Sequence, residues 1–444
     1  MRSLLILLLA LAGPAFAGDV PTVPVTQYTL DNGLTVILSE DHRLPVVALE
    51  IRYLVGSAHE VEGRSGFAHL FEHLMFQGSK SFDDEYFKPF EPIGAQVNGT
   101  TNTDRTNFYE RVPANYLELA LWMESDRMSG LLDALTQQKL DNQRDVVKNE
   151  RRQRYENTPY GMVWKYLASE PHPVGHPYHH TTIGSHKDLE AASLDDVKAF
   201  FRTYYGPANA ILTLAGDFQE AEARALIERY FGPLAPGQRA EMPKAELPVL
   251  TAPKHITSTD DVKLPRIHLA WHSPAMYAEG DAALDVLSSI LTDGKTSRLY
   301  KPLVYDKKVA KEVSAFQYSR ALGSLYVVVV TGAPGQSVES LYTATQEALR
   351  EALATPPTED EMTRALNGWK KSFYGQVESV LSKAQMLSNY AHFTGNPDYL
   401  ATDLARYTQL TGADIYRTAQ QWLVPERQVR IDVVPGPQEQ EVDE

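Results

Sequence analysis

The chain repeats one short pattern, and that repeat limits its architecture more than any other feature. Leu264-Pro265-Arg266-Ile267-His268-Leu269-Ala270-Trp271 resembles Leu44-Pro45-Val46-Val47-Ala48-Leu49-Glu50-Ile51. Each copy reads as a strand. Each is followed by an apolar stretch of helical spacing and then a glycine, Gly78 or Gly294. A shared order of strand, helix and Gly turn predicts two similar units in tandem, each needing its own core. Between them, Pro233 to Pro253 holds five prolines among Gly, Gln and Glu, a linker composition. The expected organisation is a signal peptide at 1–17, a first domain at 18–235, a linker at 236–255, a second domain at 256–435 and an acidic, disordered tail at 436–444.

Local patterns supply the elements. Tyr28-Thr29-Leu30 and Leu34 to Leu38 flank Asp31-Asn32-Gly33, which predicts a hairpin. Val46 to Val55 alternates as a strand. Phe82 to Phe90 is expected to form a short helix. Tyr116 to Ser129 and Leu135 to Tyr155 are expected helices, then Leu194 to Tyr204. Asn209 to Ala215 reads as a buried strand. In the second half, Pro357 to Leu381 is largely a long helix and Val429 to Val434 is the last strand. The stretch Gly94 to Tyr109 is rich in Thr, Asn and Gly. It reads as a strand bounded by loops, or as an edge strand whose free backbone could pair with an extended peptide.

Bulk properties remove several classes of function. A chain of 444 residues that is 43% hydrophobic and 22% charged is a folded globular protein. A net charge of −15 argues against a nucleic-acid partner, because phosphate binding needs a basic face. Arg2, the apolar run Leu4 to Leu11 and Ala15-Phe16-Ala17 form a secretory signal pattern, too short to span a membrane. No later apolar run escapes interruption by charge, so no membrane span is expected. With no cysteine, the chain has no disulfide, no thiol nucleophile and no thiolate ligand.

The chemistry concentrates in Gly66-Phe67-Ala68-His69-Leu70-Phe71-Glu72-His73-Leu74-Met75-Phe76. Leu70, Phe71, Leu74 and Met75 give a helix one apolar side. His69, Glu72 and His73, at i, i+3 and i+4, share another face. Neutral imidazoles are good zinc donors, and a catalytic zinc takes three protein ligands plus an open position for water. His69 and His73 supply two ligands, and Glu72 stands where it can take a proton from that water. A third donor must come from another element. Glu150 is the candidate, an acid on a helix separated from His73 by 76 residues. The His-rich stretch Pro171 to His180 contains Gly and several prolines, which enforce no ligand spacing. It is expected to be a loop packed against the site entrance. In the second half, sliding Gly78 onto Gly294 sets Asp285, Ser288 and Ser289 against His69, Glu72 and His73, so that copy has lost the metal residues.

The H-x-x-E-H order followed at this interval by a Glu on a helix resembles the pitrilysin family of inverzincin metallopeptidases, which includes insulin-degrading enzyme and the mitochondrial processing peptidase. The resemblance covers nearly the whole chain after the signal pattern and is closest to short, two-domain bacterial members. It implies an α+β fold of two tandem homologous domains, each a mostly antiparallel sheet with helices on one side. It implies one Zn2+ per chain on His69, His73 and Glu150, with Glu72 as general base. Asn98, Gly99 and Thr101, with Thr106, resemble the family's substrate-clamping edge strand. Arg298 and Tyr305 resemble its second-domain pair, in which the Tyr donates to the scissile carbonyl oxygen and the Arg helps hold substrate. Members often carry Glu seven residues before the third ligand, where this chain has Gln143. The implied function is a secreted, periplasmic zinc endopeptidase that hydrolyses peptides or unfolded segments inside a chamber closed by a second chain, a homodimer or a heterodimer with a related chain. The alternative is a non-catalytic scaffold or partner subunit of a heteromeric peptidase.

Overall fold

A computed structural model of the chain describes residues 21–436. The expected signal peptide and all but the first residue of the expected acidic tail lie outside the described residues. The expected hairpin forms from β1 (Thr26–Thr29) and β2 (Thr35–Glu40), in antiparallel register from Thr26 opposite Leu38 to Thr29 opposite Thr35. Gly33 takes the left-handed conformation that this turn needs, with φ 87°. Next come β3 (Val46–Tyr53), α1 (Phe67–Leu74), β4 (Gln96–Thr101) and β5 (Thr106–Pro113). They are followed by α2 (Leu117–Ala134), α3 (Gln137–Arg151), a π-helical turn (Arg152–Glu156) and α4 (Val163–Ser169). Then α5 (His186–Ala191), α6 (Leu194–Tyr204), β6 (Ala210–Gly216) and α7 (Glu220–Phe231) complete the first half.

The first sheet has the order β1-β2-β6-β3-β5-β4, antiparallel except where β2 meets β6. Thus β4 is an edge strand. Gly94 to Tyr109 contains not one strand but the greater part of a β-hairpin, whose chain reverses at Asn102 to Arg105. The expected helix at Phe82 to Phe90 is absent. Those residues make a series of turns. Pro89 near the end disfavours the helical conformation for Lys88, and Tyr86 and Phe90 are separately buried in the core.

Between residues 235 and 253 the chain has no helix or strand. The second half then runs β7 (Lys254–Asp260), β8 (Arg266–Ser273), α8 (Asp281–Thr292), a π-helical turn (Lys301–Asp306), β9 (Ala310–Tyr318) and β10 (Ser324–Gly332). It continues with α9 (Val338–Ala352), α10 (Glu359–Glu378), α11 (Val380–Thr394), α12 (Leu400–Thr408), α13 (Gly412–Trp422) and β11 (Val429–Pro435). Its sheet has the order β7-β11-β8-β10-β9, antiparallel except for β7 with β11. The fold is therefore α+β, with two mostly antiparallel sheets in tandem.

Strand alternation explains which helices cover each sheet. On β3, Val47, Leu49, Ile51 and Tyr53 enter a core with Phe67, Leu70, Phe71 and Leu74 of α1. Ala48 faces the other way and, with Ala215, meets Ala384 of α11. These small side chains let the helix approach closely. Ile37, Leu54 and Ile211 pack on Leu387 of the same helix. The second sheet is covered in the same manner. On β10, Val328 and Val330 join the core beneath α8 and α9. Leu325 and Val327 take the opposite face, against Val163 and Leu167 of α4. Each half thus supplies one helix to the far side of the other half's sheet.

Leu387 has no exposed surface. Leu387→Ala is expected to cost about 2–5 kcal/mol. Urea unfolding should show the loss in the first sheet, although the residue belongs to the second half.

Candidate metal centre

The N-terminus of α1 is fixed by residues well outside it. Gly66 caps the helix with φ 92°. The Glu60 side chain, wholly buried, accepts hydrogen bonds from the Gly66 N–H at 2.9 Å and the Ala68 N–H at 2.8 Å. A carboxylate here satisfies otherwise free amides and suits the positive end of the helix. His180 Nε2 lies 2.9 Å from Glu60 Oε2. The segment 183–184 presses backbone against backbone here. A Cβ on Gly184 would lie 2.3 Å from the Ser65 carbonyl oxygen. That segment also anchors α3, because Arg151 Nη1 donates to the Gly184 carbonyl at 2.6 Å. Leu140 and Val147 bury the inner side of α3. Glu150, one turn beyond Val147, is thereby carried to α1.

The three expected donors meet. Glu150 Oε2 is 3.1 Å from His73 Nε2 and 3.8 Å from His69 Nε2. All three donor atoms lie within 4.8 Å of one another, the one such cluster among the described residues. Tetrahedral zinc with bonds of about 2.0–2.2 Å needs donor atoms about 3.4 Å apart. Two imidazoles and one carboxylate at these separations fit that ion and leave a fourth position. Burial, reinforced by His73, holds the His69 imidazole down at about 4, so it is a neutral donor at neutral pH. Burial works to raise Glu150, but the His73 hydrogen bond and the charges around it bring it below its ordinary value. Its other oxygen is 2.9 Å from Arg154 Nη1.

Glu72 shares the cavity, of about 440 Å³, with Phe76, Phe87, Gln143 and the edge strand. Burial pushes its carboxyl above the usual range, against a hydrogen bond from Thr101. Thr101 Oγ1 donates to Glu72 Oε2 at 2.6 Å. The Thr101 side chain therefore holds Glu72, whereas the sequence assigned it to substrate. Asn98 and Gly99 also line the cavity. The Asn98 side chain turns back to accept from the Gly99 N–H at 2.9 Å. Phe76 stacks on Phe87 with ring centroids 4.8 Å apart. Beneath them Arg127, wholly buried, lies 4.1 Å from the Tyr86 ring centroid and pairs with Glu124.

The other expected residues lie elsewhere. Arg298 is not among the residues lining this cavity. It donates to both Glu361 oxygens and to the carbonyls of Ala352, Thr355 and Pro356. Those bonds occupy all five guanidinium N–H donors, so here it braces the second half rather than standing free for substrate. Tyr305, on the π-helical turn after it, is 69% exposed and is also not part of the cavity wall. The His-rich loop is not a cover at the entrance. His172 packs against His272 of β8, and its Nε2 accepts from Arg320 Nη2 at 3.3 Å, between the two halves. Its last residue, His180, is the one that serves the site, through Glu60. On α8, Asp285 accepts from Tyr407 at 2.6 Å and Ser288 bonds back to Leu284, a hydrogen-bonded core in place of a donor cluster.

Two family models match the chain. Residues 35–170 match "Insulinase (Peptidase family M16)" and residues 191–368 match "Peptidase M16 inactive domain". The chain is 28% identical to the zinc protease PqqE of Helicobacter pylori over 89% of each chain. It is 25% identical to the bovine mitochondrial-processing peptidase subunit beta, over 82% of this chain and 75% of that one. The crystal structure of a protease from Helicobacter pylori superposes with a TM-score of 0.86 and 27% identity, covering 93% of this chain and all of the other. The first half of the periplasmic protease PqqL from Escherichia coli shares the fold, with a TM-score of 0.74 at 17% identity over 92% of each.

Asp285 offers a test of the second half. Burial raises its carboxyl to about 7, opposed by the Tyr407 hydrogen bond and assisted by Asp281. Between its unfolded value near 4 and about 7 the native state binds more protons than the unfolded one. Stability therefore falls as pH rises through that window, with a slope approaching about 1.4 kcal/mol per pH unit. Asp285→Asn should flatten that slope in urea unfolding measured from pH 4 to 8.

Proposed function

The chain belongs to peptidase family M16, and from that premise we propose that it is a zinc-dependent endopeptidase acting on peptides or unfolded polypeptide segments. The observation that carries this reading is the convergence of His69, His73 and Glu150 beside a carboxylate, Glu72, that coordinates nothing among them. All four lie within residues 35–170, outside the stretch matched by the inactive-domain model.

A zinc ion on His69, His73 and Glu150 would supply Lewis acidity and lower the pKa of water to about 7. Glu72 takes the proton of the attacking water and returns it to the leaving amine. Thr101 keeps the Glu72 carboxylate turned toward the donors. The substrate lies extended along β4, whose outer edge has no partner strand among the described residues. Phe76 and Phe87 form an apolar wall for a side chain beside the reacting bond. The family resemblance gives Tyr305 the hydrogen bond that steadies negative charge on the carbonyl oxygen. That role requires this exposed side chain, outside the cavity wall in the single chain, to be brought to the bound substrate; Arg298 positions the turn that carries it. The proline-rich stretch 236–255 separates the catalytic domain, 18–235, from the supporting domain, 256–435. A second copy of the chain closes the chamber. The signal pattern at 1–17 and the periplasmic relative PqqL support a periplasmic location. No helix among the described residues is long and apolar enough to cross a membrane.

The purified protein is expected to hold one zinc per chain and to cleave a quenched fluorescent peptide. A chelator should abolish that cleavage and added zinc should restore it. Glu72→Gln should keep the metal and lose about 10²–10⁴-fold in kcat. Thr101→Val should lose roughly tenfold with zinc retained, and Tyr305→Phe about 10²-fold. A protein that binds no zinc and stays inactive after zinc addition would instead be a non-catalytic partner subunit.

A further inference from the structure

A second cavity, about 620 Å³, lies behind the edge strand, on the face of the first sheet away from the metal centre. It opens between β3, β4 and β5 on one side and α10 and α11 on the other. Arg52, Arg105 and Thr100 line its first wall, and Tyr277, Trp369 and Phe373 line the wall opposite. Thr100 also lines the metal cavity, so one residue of β4 separates the two spaces.

The charge in this cavity is not balanced. Arg52 is committed: its Nε and Nη2 bond Glu50 Oε1 at 3.3 and 3.2 Å, and its Nη1 bonds Asn389 at 2.8 Å. Glu50 therefore already has its cation. Arg105 has no carboxylate within 4.0 Å among the described residues. Its Nη1 donates to the carbonyl and hydroxyl oxygens of Thr100, at 2.7 and 2.6 Å. Its Nε–H and both Nη2–H have no protein acceptor among the described residues. The one other acid of the wall, Asp403, is held by Arg406 at 2.7 Å and Tyr390 at 2.8 Å. Burial, then the neighbouring Arg52, brings Arg105 down to about 10, so it remains a cation at neutral pH. A half-buried guanidinium with three free donors beside a second guanidinium attracts an anion. The planar fork suits a carboxylate.

The edge strand relates this cavity to the metal centre. Thr101 points to Glu72, and Thr100, the next residue, points to Arg105. A peptide paired along β4 sends alternate side chains to the two faces. We propose that the cavity is a carboxylate-binding subsite, in which Arg105 takes a carboxylate of the bound peptide and the aromatic wall takes an adjoining apolar group. The proposal rests on the peptidase reading for its substrate, and deepens it. The carboxylate comes either from an acidic side chain or from the peptide's C-terminus.

The test uses quenched peptides built on one uncharged, C-terminally amidated parent. In one set Glu replaces a neutral residue at each position around the cleavage site. In the other the amide is replaced by the free acid. With the wild-type protein, one position or the free acid should raise kcat/KM about tenfold, through KM. Response in the first set identifies an acidic side chain, and response in the second a C-terminal anchor. In Arg105→Gln the ratio of charged to neutral peptide should fall to near one, and in Arg105→Lys it should be intermediate. A wild-type ratio near one throughout, or a ratio kept in Arg105→Gln, overturns the proposal. Arg105→Lys with the wild-type ratio decides the matter if Arg105→Gln does not fold. If no peptide is cleaved at all, the peptidase reading fails. Fluorescence anisotropy of the same labelled peptides then still reads the carboxylate preference and its loss in the variants.

Discussion

The buried carboxylate of Glu60 is the contact on which the metal centre depends. It ties off the first amides of α1 and is held by His180. Without it, the start of a short helix of 8 residues would sit buried with unsatisfied donors. The helix is too short to set its own direction, so its orientation comes from this cap and from the glycine contact between Gly66 and Gly184. The same segment receives Arg151. One small junction therefore positions both the helix that carries two imidazoles and the helix that carries the third donor.

The sequence exposed the parts that depend on local chemistry. The hairpin around Asn32-Gly33, the strand at Val46 to Tyr53, and the helices α1, α3 and α6 follow from turn residues and apolar spacing. The His69, His73 and Glu150 cluster was legible because helix periodicity fixes i and i+4, and the family interval supplied the third residue. What was hidden depends on tertiary contact. Nothing local indicates that Glu60 reaches forward to a helix start, that His180 supports it, or that Thr101 bonds Glu72. Arg298 shows the opposite case. A motif match suggested substrate, yet its surroundings hold five acceptors that saturate it. Phe82 to Phe90 has apolar residues at helical spacing, but Pro89 and separate anchoring of its aromatic rings produce turns.

The edge strand is where the two faces of the first sheet come into relation. One side of β4 contributes Thr101 to the metal cavity. The other contributes Thr100 to the cavity lined by Arg105. Because a strand alternates strictly, this division needs no special device beyond the pleat itself. The aromatic and charged groups behind the strand come from both halves, so the second half shapes the surroundings of a centre whose donors it does not supply.

The exchange of covering helices has a further consequence. With α11 closing the back of the first sheet and α4 closing the back of the second, each half would be left with a bare greasy surface if its neighbour were removed. Cutting the proline-rich connector should leave a nicked particle that stays together, not two free fragments. A gene encoding either half alone would yield a sticky, aggregation-prone product. The duplication visible in the sequence has thus become an obligate pairing, in which neither copy can now be inherited or shuffled without the other.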